Sequence, residues 1–170
     1  GKHNVMNALL VIQAAELMGI PRESIVEGLR AYTGEPMRFA ELEFQGIRFI
    51  NDAYNASPTS IIAGVETLLS MEARRHIAVI GDVLELGRYA EEEHSNLSSH
   101  HAIQALDALY TLGDYAGLIG EQHKNSQHFT SLVALGRTLK QELKEGDLVL
   151  LKASRSIELE RVLENWEETV

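Results

Sequence analysis

Polar side chains that could do chemistry follow three short apolar runs, and the first group is Asp52, Tyr54 and Asn55. An aspartate accepts hydrogen bonds from hydroxyls, an aromatic ring stacks on a base, and an amide both donates and accepts. The group lies just before Ser57, a good helix N-cap. Asx side chains also occur in such turns because they bond their own backbone, so a binding role and a turn-forming role both stay open.

The second group is Asp82 and Glu85, two acids between the glycines of Gly81-Asp82-Val83-Leu84-Glu85-Leu86-Gly87. Acids at this spacing could orient a substrate amine, or they could order a loop as part of a solvated turn. The spacing alone does not separate these two interpretations.

The third group combines two cations with a hydroxyl: Lys152, Ser154 and Arg155. These residues precede a predicted helix, whose first N–H groups are free to bind an anion. Two positive charges and a short hydroxyl donor beside them are the components of an anion-binding cradle. The alternative is a capped helix with basic surface residues.

The composition excludes several other kinds of site. The chain has 170 residues and no cysteine, which excludes disulfides, thiolate zinc sites, iron–sulfur clusters and cysteine nucleophiles. Its 15 Lys and Arg against 25 Asp and Glu give a net charge of -10, so we expect no nucleic-acid partner. The 7 histidines have no metal-binding spacing, so we expect no metal site. No apolar run approaches the roughly 20 residues of a membrane span, and no signal peptide is evident, so we expect a soluble, cytoplasmic protein.

Two helices are predicted ahead of these groups. Apolar residues recur at helical spacing over 5–18 and Gly19 closes that helix, while Pro21 begins the second helix at its N1 position. The second helix is expected to bury an apolar stripe: Ile25, Val26, Leu29 and Ala31. Glycine and proline then predict a linker at 32–36. The first helix has no cap or turn in front of it, which predicts a piece of a longer protein.

Strands and helices alternate after the linker. A β-hairpin is predicted over 41–51, around Gln45-Gly46. Further strands are predicted at 76–80, 108–112 and 148–151, and helices at 58–71, 89–106, 131–143 and 156–166. This alternation predicts an α/β fold, with a mostly parallel sheet and helices on both faces. Ligands bind such sheets at the carboxyl ends of the strands, where the three polar groups lie.

The chain resembles the Mur ligase family in five ordered segments: His3-Asn4-Val5-Met6-Asn7-Ala8, Arg38, Asp52-Ala53-Tyr54-Asn55-Ala56-Ser57-Pro58, Gly81-Asp82-Val83-Leu84-Glu85-Leu86-Gly87 and Lys152-Ala153-Ser154-Arg155. These ATP-dependent enzymes build the peptide stem of the peptidoglycan precursor. The resemblance implies that 1–35 are the last helices of the central ATP-binding domain and that 37–170 are a complete, Rossmann-like C-terminal domain. It also implies that the phosphate-binding loop, the Mg²⁺ ligands and the carbamylated lysine lie upstream, and that this part alone is inactive.

The resemblance further implies roles for single residues. The histidine and the asparagines of the first segment correspond to family residues at the adenine side of ATP. Arg38 corresponds to an arginine that reaches the ribose and the phosphates, and Asp52 corresponds to the acid that binds the ribose. The ATP-binding residues expected on this basis are His3, Asn4, Asn7, Arg38, Asp52, Tyr54 and Asn55. No catalytic residue is expected within the chain.

The substrate-binding residues expected on the same basis are Asp82, Glu85, Lys152, Ser154 and Arg155, the last three also supporting the reacting centre. The Asp-x-Tyr-Asn-Ala-x-Pro form resembles the family member that joins D-alanyl-D-alanine to UDP-N-acetylmuramoyl-tripeptide through an acyl phosphate. We expect these two substrates as partners and a monomeric enzyme. The alternatives are a sister ligase that adds diaminopimelate or lysine, and a non-catalytic nucleotide- or peptide-binding α/β module.

Three positions depart from the family pattern, and one of them is Ser57, which replaces a common second asparagine. Ala153 stands where the family usually has glycine, so a positive φ there would be strained. Met37 likewise precedes Arg38 where glycine is frequent.

Overall fold

A computed structural model describes residues 2–32 and 34–167 of the chain. The chain divides into two compact units, Gly1–Glu35 and Pro36–Val170. The helices are α1 (Lys2–Leu17), α2 (Arg22–Ala31), α3 (Pro58–Leu69), α4 (Ala90–Ser98), α5 (His101–Gln104), α6 (Leu132–Glu142) and α7 (Glu164–Glu167). The strands are β1 (Ala40–Phe44), β2 (Ile47–Asn51), β3 (Arg75–Gly81), β4 (Ala108–Leu112), β5 (Ser126–Phe129) and β6 (Asp147–Lys152). Short 3₁₀ helices cover Gly87–Tyr89, Ala116–Gly120, Arg155–Ile157 and Leu159–Leu163.

The first unit is a helix pair whose turn follows the sequence closely. Gly19 has a φ of 76° and donates to the Glu16 carbonyl, while Ile20 donates to the Ala15 carbonyl at 3.0 Å. This pair of bonds is a Schellman motif, so α1 ends where the glycine predicts. The sequence predicts Pro21 as the first helical residue of α2. In the structure it is the N-cap residue, one position earlier.

The apolar stripe expected on α2 is largely exposed in this unit. Ile25 is 8% exposed, but Val26 is 39% and Leu29 37% exposed, and Ala31 is exposed too, so the expectation of a buried stripe was wrong for these three residues. Among the described residues of this unit, α2 packs against α1, and one helix covers only a narrow strip of its partner's surface. Apolar side chains of α1 are exposed as well, including Val5 and Leu10.

Six strands of the second unit form one sheet in the order β1-β2-β6-β3-β4-β5. β1 pairs antiparallel with β2, and all other neighbouring strands run parallel. The predicted hairpin is confirmed, since Gln45 and Gly46 connect β1 to β2 with φ of 53° and 74°, as a type I′ turn requires. The short edge strand β5 was missed by the sequence analysis because its Ser-Gln-His-Phe sequence is mostly polar.

The core has two layers because neighbouring residues of each strand point to opposite faces of the sheet. In β6, Leu148 and Leu150 join the cluster that contains α3, α4 and α5, whereas Val149 and Leu151 join the cluster that contains α6. The predicted α/β fold, with a Rossmann-like, mostly parallel sheet and helices on both faces, is therefore confirmed. Within 2–32 and 34–167, no helix combines the length and the apolar character that a membrane crossing needs.

Two predicted helices differ from the structure. The helix predicted over 89–106 is divided into α4 and α5, because His100 is extended (ψ 133°) and its ring accepts a hydrogen bond from Ala102 N–H as a new N-cap. The helix predicted over 156–166 is mostly 3₁₀ structure. Glu158 lies in the left-handed region, with φ 52° and ψ 40°, which interrupts an α-helix.

A polar network borders the α6 layer of the core. The Tyr110 hydroxyl donates to Glu142 Oε2 at 2.6 Å, and Arg75 Nε donates to Asp147 Oδ1 at 2.8 Å. Burial, and then the hydrogen bond to Glu142, raise the pKa of the Tyr110 phenol. The same bond lowers the pKa of the Glu142 carboxyl.

We expect Tyr110 to make the folded chain sensitive to alkali. Its phenol ionises in the unfolded chain near pH ~10 but stays neutral in the fold, so stability is lost as pH rises above ~10, by about 1.4 kcal/mol per pH unit. Tyr110→Phe should remove this slope while costing about 1 kcal/mol at pH 7. Urea unfolding at pH 7 to 11 measures both effects. Tyr89→Phe, at an exposed tyrosine, is the control and should keep the wild-type slope.

Candidate functional site

The three polar groups come together because of the strand order. β2, β6 and β3 are consecutive, parallel strands, so their carboxyl ends lie side by side at one edge of the sheet. Asp52 follows β2, Lys152 ends β6 and Asp82 follows β3. Sequence periodicity placed each residue at a strand end, and the sheet makes those ends neighbours.

A buried ion pair joins the first and third groups. Lys152 Nζ donates to Asp52 Oδ2 at 2.6 Å and to the Asn55 carbonyl at 3.1 Å. The Lys152 side chain is 3% exposed and the Asp52 side chain 21% exposed. The lysine therefore orients the β2 exit from within the protein, and the aspartate is the partner that solvent reaches.

The segment around Arg38 is fixed to the same strand end. Phe39 N–H donates to Asp52 Oδ1 at 3.1 Å, and Tyr54 N–H donates to the Met37 carbonyl at 3.1 Å. The exposed Arg38 lies between them with its guanidinium 4.1 Å from the centre of the Tyr54 ring, a cation–π contact. Met37 and Phe39 have φ of 57° and 58°. The first of these explains why glycine suits that position, and makes Met37 a strained residue.

Asp82, which is expected to bind substrate, lies in the interior of the domain. Its carboxylate is 3% exposed and accepts hydrogen bonds from the N–H groups of Asp114, Tyr115 and Ala116, at 2.8, 3.0 and 2.6 Å. These bonds order the loop that follows β4. Of the two alternatives that the sequence left open for Asp82, the structure supports loop ordering, because the buried oxygens already have backbone donors.

Ser154 and Glu85 belong to a loop contact between β6 and β3. Leu84 N–H donates to Ser154 Oγ at 2.8 Å, and Ser154 N–H donates to the Asp82 carbonyl at 3.1 Å. Glu85 follows in the left-handed region, with a φ of 61°, and its side chain is exposed. Of the two acids in this loop, Glu85 is thus the one placed to meet a ligand.

The anion cradle expected from Lys152, Ser154 and Arg155 is not assembled in this form. Lys152 is neutralised by Asp52, and Arg155 Nη1 lies 2.5 Å from Glu160 Oε1. The sequence pattern placed the cations correctly at a strand end but did not reveal their acidic partners, which come from outside the motif.

Ala153 is accommodated without strain. It is fully buried, and no positive φ is found there, so the conflict expected from the missing glycine does not arise. Gly81 supplies the space instead, since a Cβ at that position would lie 2.7 Å from Ala153 Cβ.

Three predicted site residues lie in the first unit. Asn7 is exposed on α1, while the side chains of His3 and Asn4 lie outside the described part of the structure. In the described part of both units, no group of three or more His, Asp or Glu residues is arranged to hold a metal ion.

Sequence reasoning missed two residues of the site. Gly113 has a φ of 134°, and a Cβ there would lie 2.3 Å from Asp82 Cγ, so only glycine leaves room for the aspartate. His94 is fully buried and accepts a hydrogen bond from Val83 N–H at 3.0 Å. Gly113 directly follows a predicted strand, which was a usable signal, whereas His94 lies within a predicted helix and no local pattern marks its contact with Val83.

The domain has parallel strands with polar loops at their carboxyl ends, an arginine stacked on a tyrosine and an accessible aspartate. This arrangement is typical of α/β domains that bind a ligand at that edge of the sheet. Residues 37–155 match the family model described as "Mur ligase, glutamate ligase domain". The chain belongs to the Mur ligase family.

The similar proteins include D-alanyl-D-alanine-adding ligases, both as sequence relatives and as solved structures. The chain is 34% identical to the UDP-N-acetylmuramoyl-tripeptide–D-alanyl-D-alanine ligase of Bacillus subtilis, over 99% of this chain and 39% of the relative. It is similar to the crystal structure of MurF from Acinetobacter baumannii, with a TM-score of 0.85 and 29% identity over 99% of this chain and 38% of that one. It is also similar to the MurF ligase of Thermotoga maritima in complex with ADP, with a TM-score of 0.79 and 29% identity over 92% of this chain and 36% of that one. The chain therefore spans less than two-fifths of these proteins' lengths.

We predict that removing one or the other charge of the buried ion pair lowers the free energy of unfolding by unequal amounts. Asp52→Asn leaves a buried ammonium without an anion and should cost about 3 kcal/mol or more. Lys152→Met leaves a carboxylate that water reaches and that keeps the Phe39 N–H, so it should cost about 1–2 kcal/mol. Urea unfolding of this chain measures both values.

Glu158→Gln is the control for removing a charge from an exposed pair, Arg161–Glu158, and should change stability by at most about 0.5 kcal/mol. A cost for Lys152→Met that equals or exceeds the cost for Asp52→Asn contradicts the assignment of Lys152 as the buried, dependent partner.

Gly113 is predicted to be indispensable for the Asp82 loop. Gly113→Ala should cost about 2–4 kcal/mol, because the new Cβ displaces the Asp82 carboxylate in addition to straining the backbone. Gly87→Ala is the matched control: Gly87 has a φ of 54° with no atom within 4 Å of its added Cβ, so strain alone should cost about 1 kcal/mol. Equal costs by thermal unfolding would show that Asp82 does not depend on the glycine.

Proposed function

We propose that the chain is the C-terminal part of an ATP-dependent ligase that adds D-alanyl-D-alanine to UDP-N-acetylmuramoyl-tripeptide in peptidoglycan precursor synthesis. The observation that carries this proposal is the 34% identity to such a ligase over 99% of the chain. The convergence of its motif residues at one sheet edge supports a ligand site there. The similar MurF structure in complex with ADP supports ATP as the nucleotide.

Asp52 and Arg38 are the residues proposed to meet ATP. Each oxygen of the Asp52 carboxylate accepts one hydrogen bond within the protein, so lone pairs are left for a ribose hydroxyl. The Tyr54 ring holds the Arg38 guanidinium by its face, which leaves the edge with its N–H donors for a phosphate. Asn55 follows on the same exposed turn. Lys152 acts through Asp52 in this proposal and does not touch the substrate.

The proposed reaction proceeds in two balanced steps. The carboxylate at the end of the tripeptide attacks the γ-phosphorus of ATP, which gives an acyl phosphate and ADP. The D-alanyl-D-alanine amine then attacks the acyl carbon, loses a proton, and expels inorganic phosphate as the peptide bond forms. Glu85 is the exposed acid proposed to face that amine, and Arg38 the cation proposed to face the nucleotide.

The first unit is proposed to be the end of the central ATP-binding domain, with 37–170 as the C-terminal domain. Its exposed apolar side chains, such as Val5, Leu10 and Leu17, are typical of helices that pack on further protein. In this proposal His3, Asn4 and Asn7 belong to the adenine side of the site. We assign the Mg²⁺ ligands to the upstream domain, and we expect the 170-residue chain alone to be inactive.

The experiment is a ligation assay on the full-length protein with UDP-N-acetylmuramoyl-tripeptide and ATP. D-Alanyl-D-alanine should yield the pentapeptide, ADP and phosphate, whereas diaminopimelate or lysine should yield none. Arg38→Ala should raise the KM for ATP about 10- to 100-fold, since it removes charge-assisted contacts.

Arg161→Ala is the matched control, because this arginine is exposed and pairs only with neighbours on its own segment in the described structure. Its KM for ATP should stay within twofold of wild type. Turnover with a single amino acid but not with the dipeptide would assign the protein to a sister ligase. Calorimetry also compares the ATP affinity of the 170-residue chain alone with that of the full-length protein. Equal affinities would favour an independent binding module.

A further inference from the structure

His94 is a buried histidine whose two ring nitrogens both have a backbone partner. Val83 N–H donates to Nε2 at 3.0 Å, and Nδ1 lies 2.6 Å from the carbonyl of Ala90, one turn earlier in α4. The ring is fully buried and lies against Tyr115, with ring centres 5.8 Å apart. Its position in the molecule links α4 to the loop that leaves β3.

These two partners determine where the proton lies. A backbone N–H can only donate, so Nε2 must be the bare, accepting nitrogen. A carbonyl oxygen can only accept, so Nδ1 must carry the hydrogen. Only the neutral Nδ1–H tautomer makes both bonds, and any other form of the ring loses the contact to Val83.

The loop receives two consecutive side-chain anchors. Val83 N–H binds His94, and the next amide, Leu84 N–H, binds Ser154 Oγ at 2.8 Å. Glu85, the next residue, is exposed in the left-handed region. Two adjacent amides held from two different elements leave the backbone before Glu85 little freedom, so the direction of its side chain depends on both anchors.

We infer that His94 is a positioning residue: through its bond to Val83 N–H it holds the β3 exit loop so that Glu85 faces the incoming amine. The inference rests on the proposed function for the role of Glu85, whereas the tautomer and the loop anchor stand on geometry alone. His94 touches neither nucleotide nor dipeptide.

The first test needs no substitution. In the ¹⁵N-labelled chain, the long-range ¹H–¹⁵N spectrum of His94 should show a bare nitrogen at Nε2 and a protonated nitrogen at Nδ1. A protonated Nε2 overturns the anchor, because that nitrogen could not accept from Val83. His101, whose side chain is 81% exposed, supplies the reference signals of a solvent-exposed histidine in the same spectrum.

The second test separates the two bonds with matched amides. In His94→Gln the side-chain carbonyl can reach the position of Nε2 and still accept from Val83, whereas in His94→Asn the amide reaches only the position of Nδ1. Hydrogen exchange of the Val83 amide should accelerate about tenfold in His94→Asn and less than threefold in His94→Gln. Equal acceleration in both variants overturns the anchor. His101→Asn should leave this amide at the wild-type rate.

The third test asks whether the anchor serves the reaction. In the full-length protein, His94→Asn should raise the KM for D-alanyl-D-alanine about tenfold with less than a twofold change in the KM for ATP, and His94→Gln should restore it to within threefold. A KM for the dipeptide that is unchanged, or raised equally by both variants, overturns the positioning role. If wild type ligates no dipeptide, the proposed function fails together with this role, while the spectrum and the exchange rates still decide whether His94 anchors the loop.

Discussion

The arrangement of the site depends on one buried ion pair, Lys152 with Asp52. An ammonium group that is 3% exposed is costly to bury unless an anion and further acceptors surround it, and here Asp52 Oδ2 and the Asn55 carbonyl do so. The other oxygen of Asp52 binds Phe39 N–H. One pair therefore joins the ends of β2 and β6 to the segment that carries Arg38, and the position of each depends on the other two.

The same stretch of chain extends this order to the next strand. After Lys152, Ala153 packs where Gly81 lacks a side chain, and Ser154 binds Leu84 N–H. Three successive residues at the end of β6, Lys152, Ala153 and Ser154, thus fix the loops of both neighbouring strands. Because β6 lies between β2 and β3 in the sheet, it is the strand from which both halves of the site can be reached.

Local patterns explain why much of this fold could be predicted. Ser57 and Pro58 begin α3 as the N-cap and first helical residue, and the apolar run at 108–112 is a strand with the same limits. What could not be predicted is long-range: the strand order, and contacts such as Lys152 with Asp52, 100 residues apart in sequence. Asp82 illustrates the consequence. Its role in ordering a loop depends on N–H donors from that other loop and on the space left by the missing side chain of Gly113.

The acidic partners in the structure determine which cation of the site keeps an uncompensated charge. Of the three cations that the motifs contain, Lys152 and Arg155 are held by carboxylates of the same domain, whereas Arg38 is held by the face of an aromatic ring. An aromatic face orients a guanidinium without neutralising its charge. An anionic ligand that approaches this edge of the sheet therefore meets its strongest uncompensated attraction at Arg38. The net charge of -10 increases that contrast, because acidic residues outnumber basic ones in the chain as a whole.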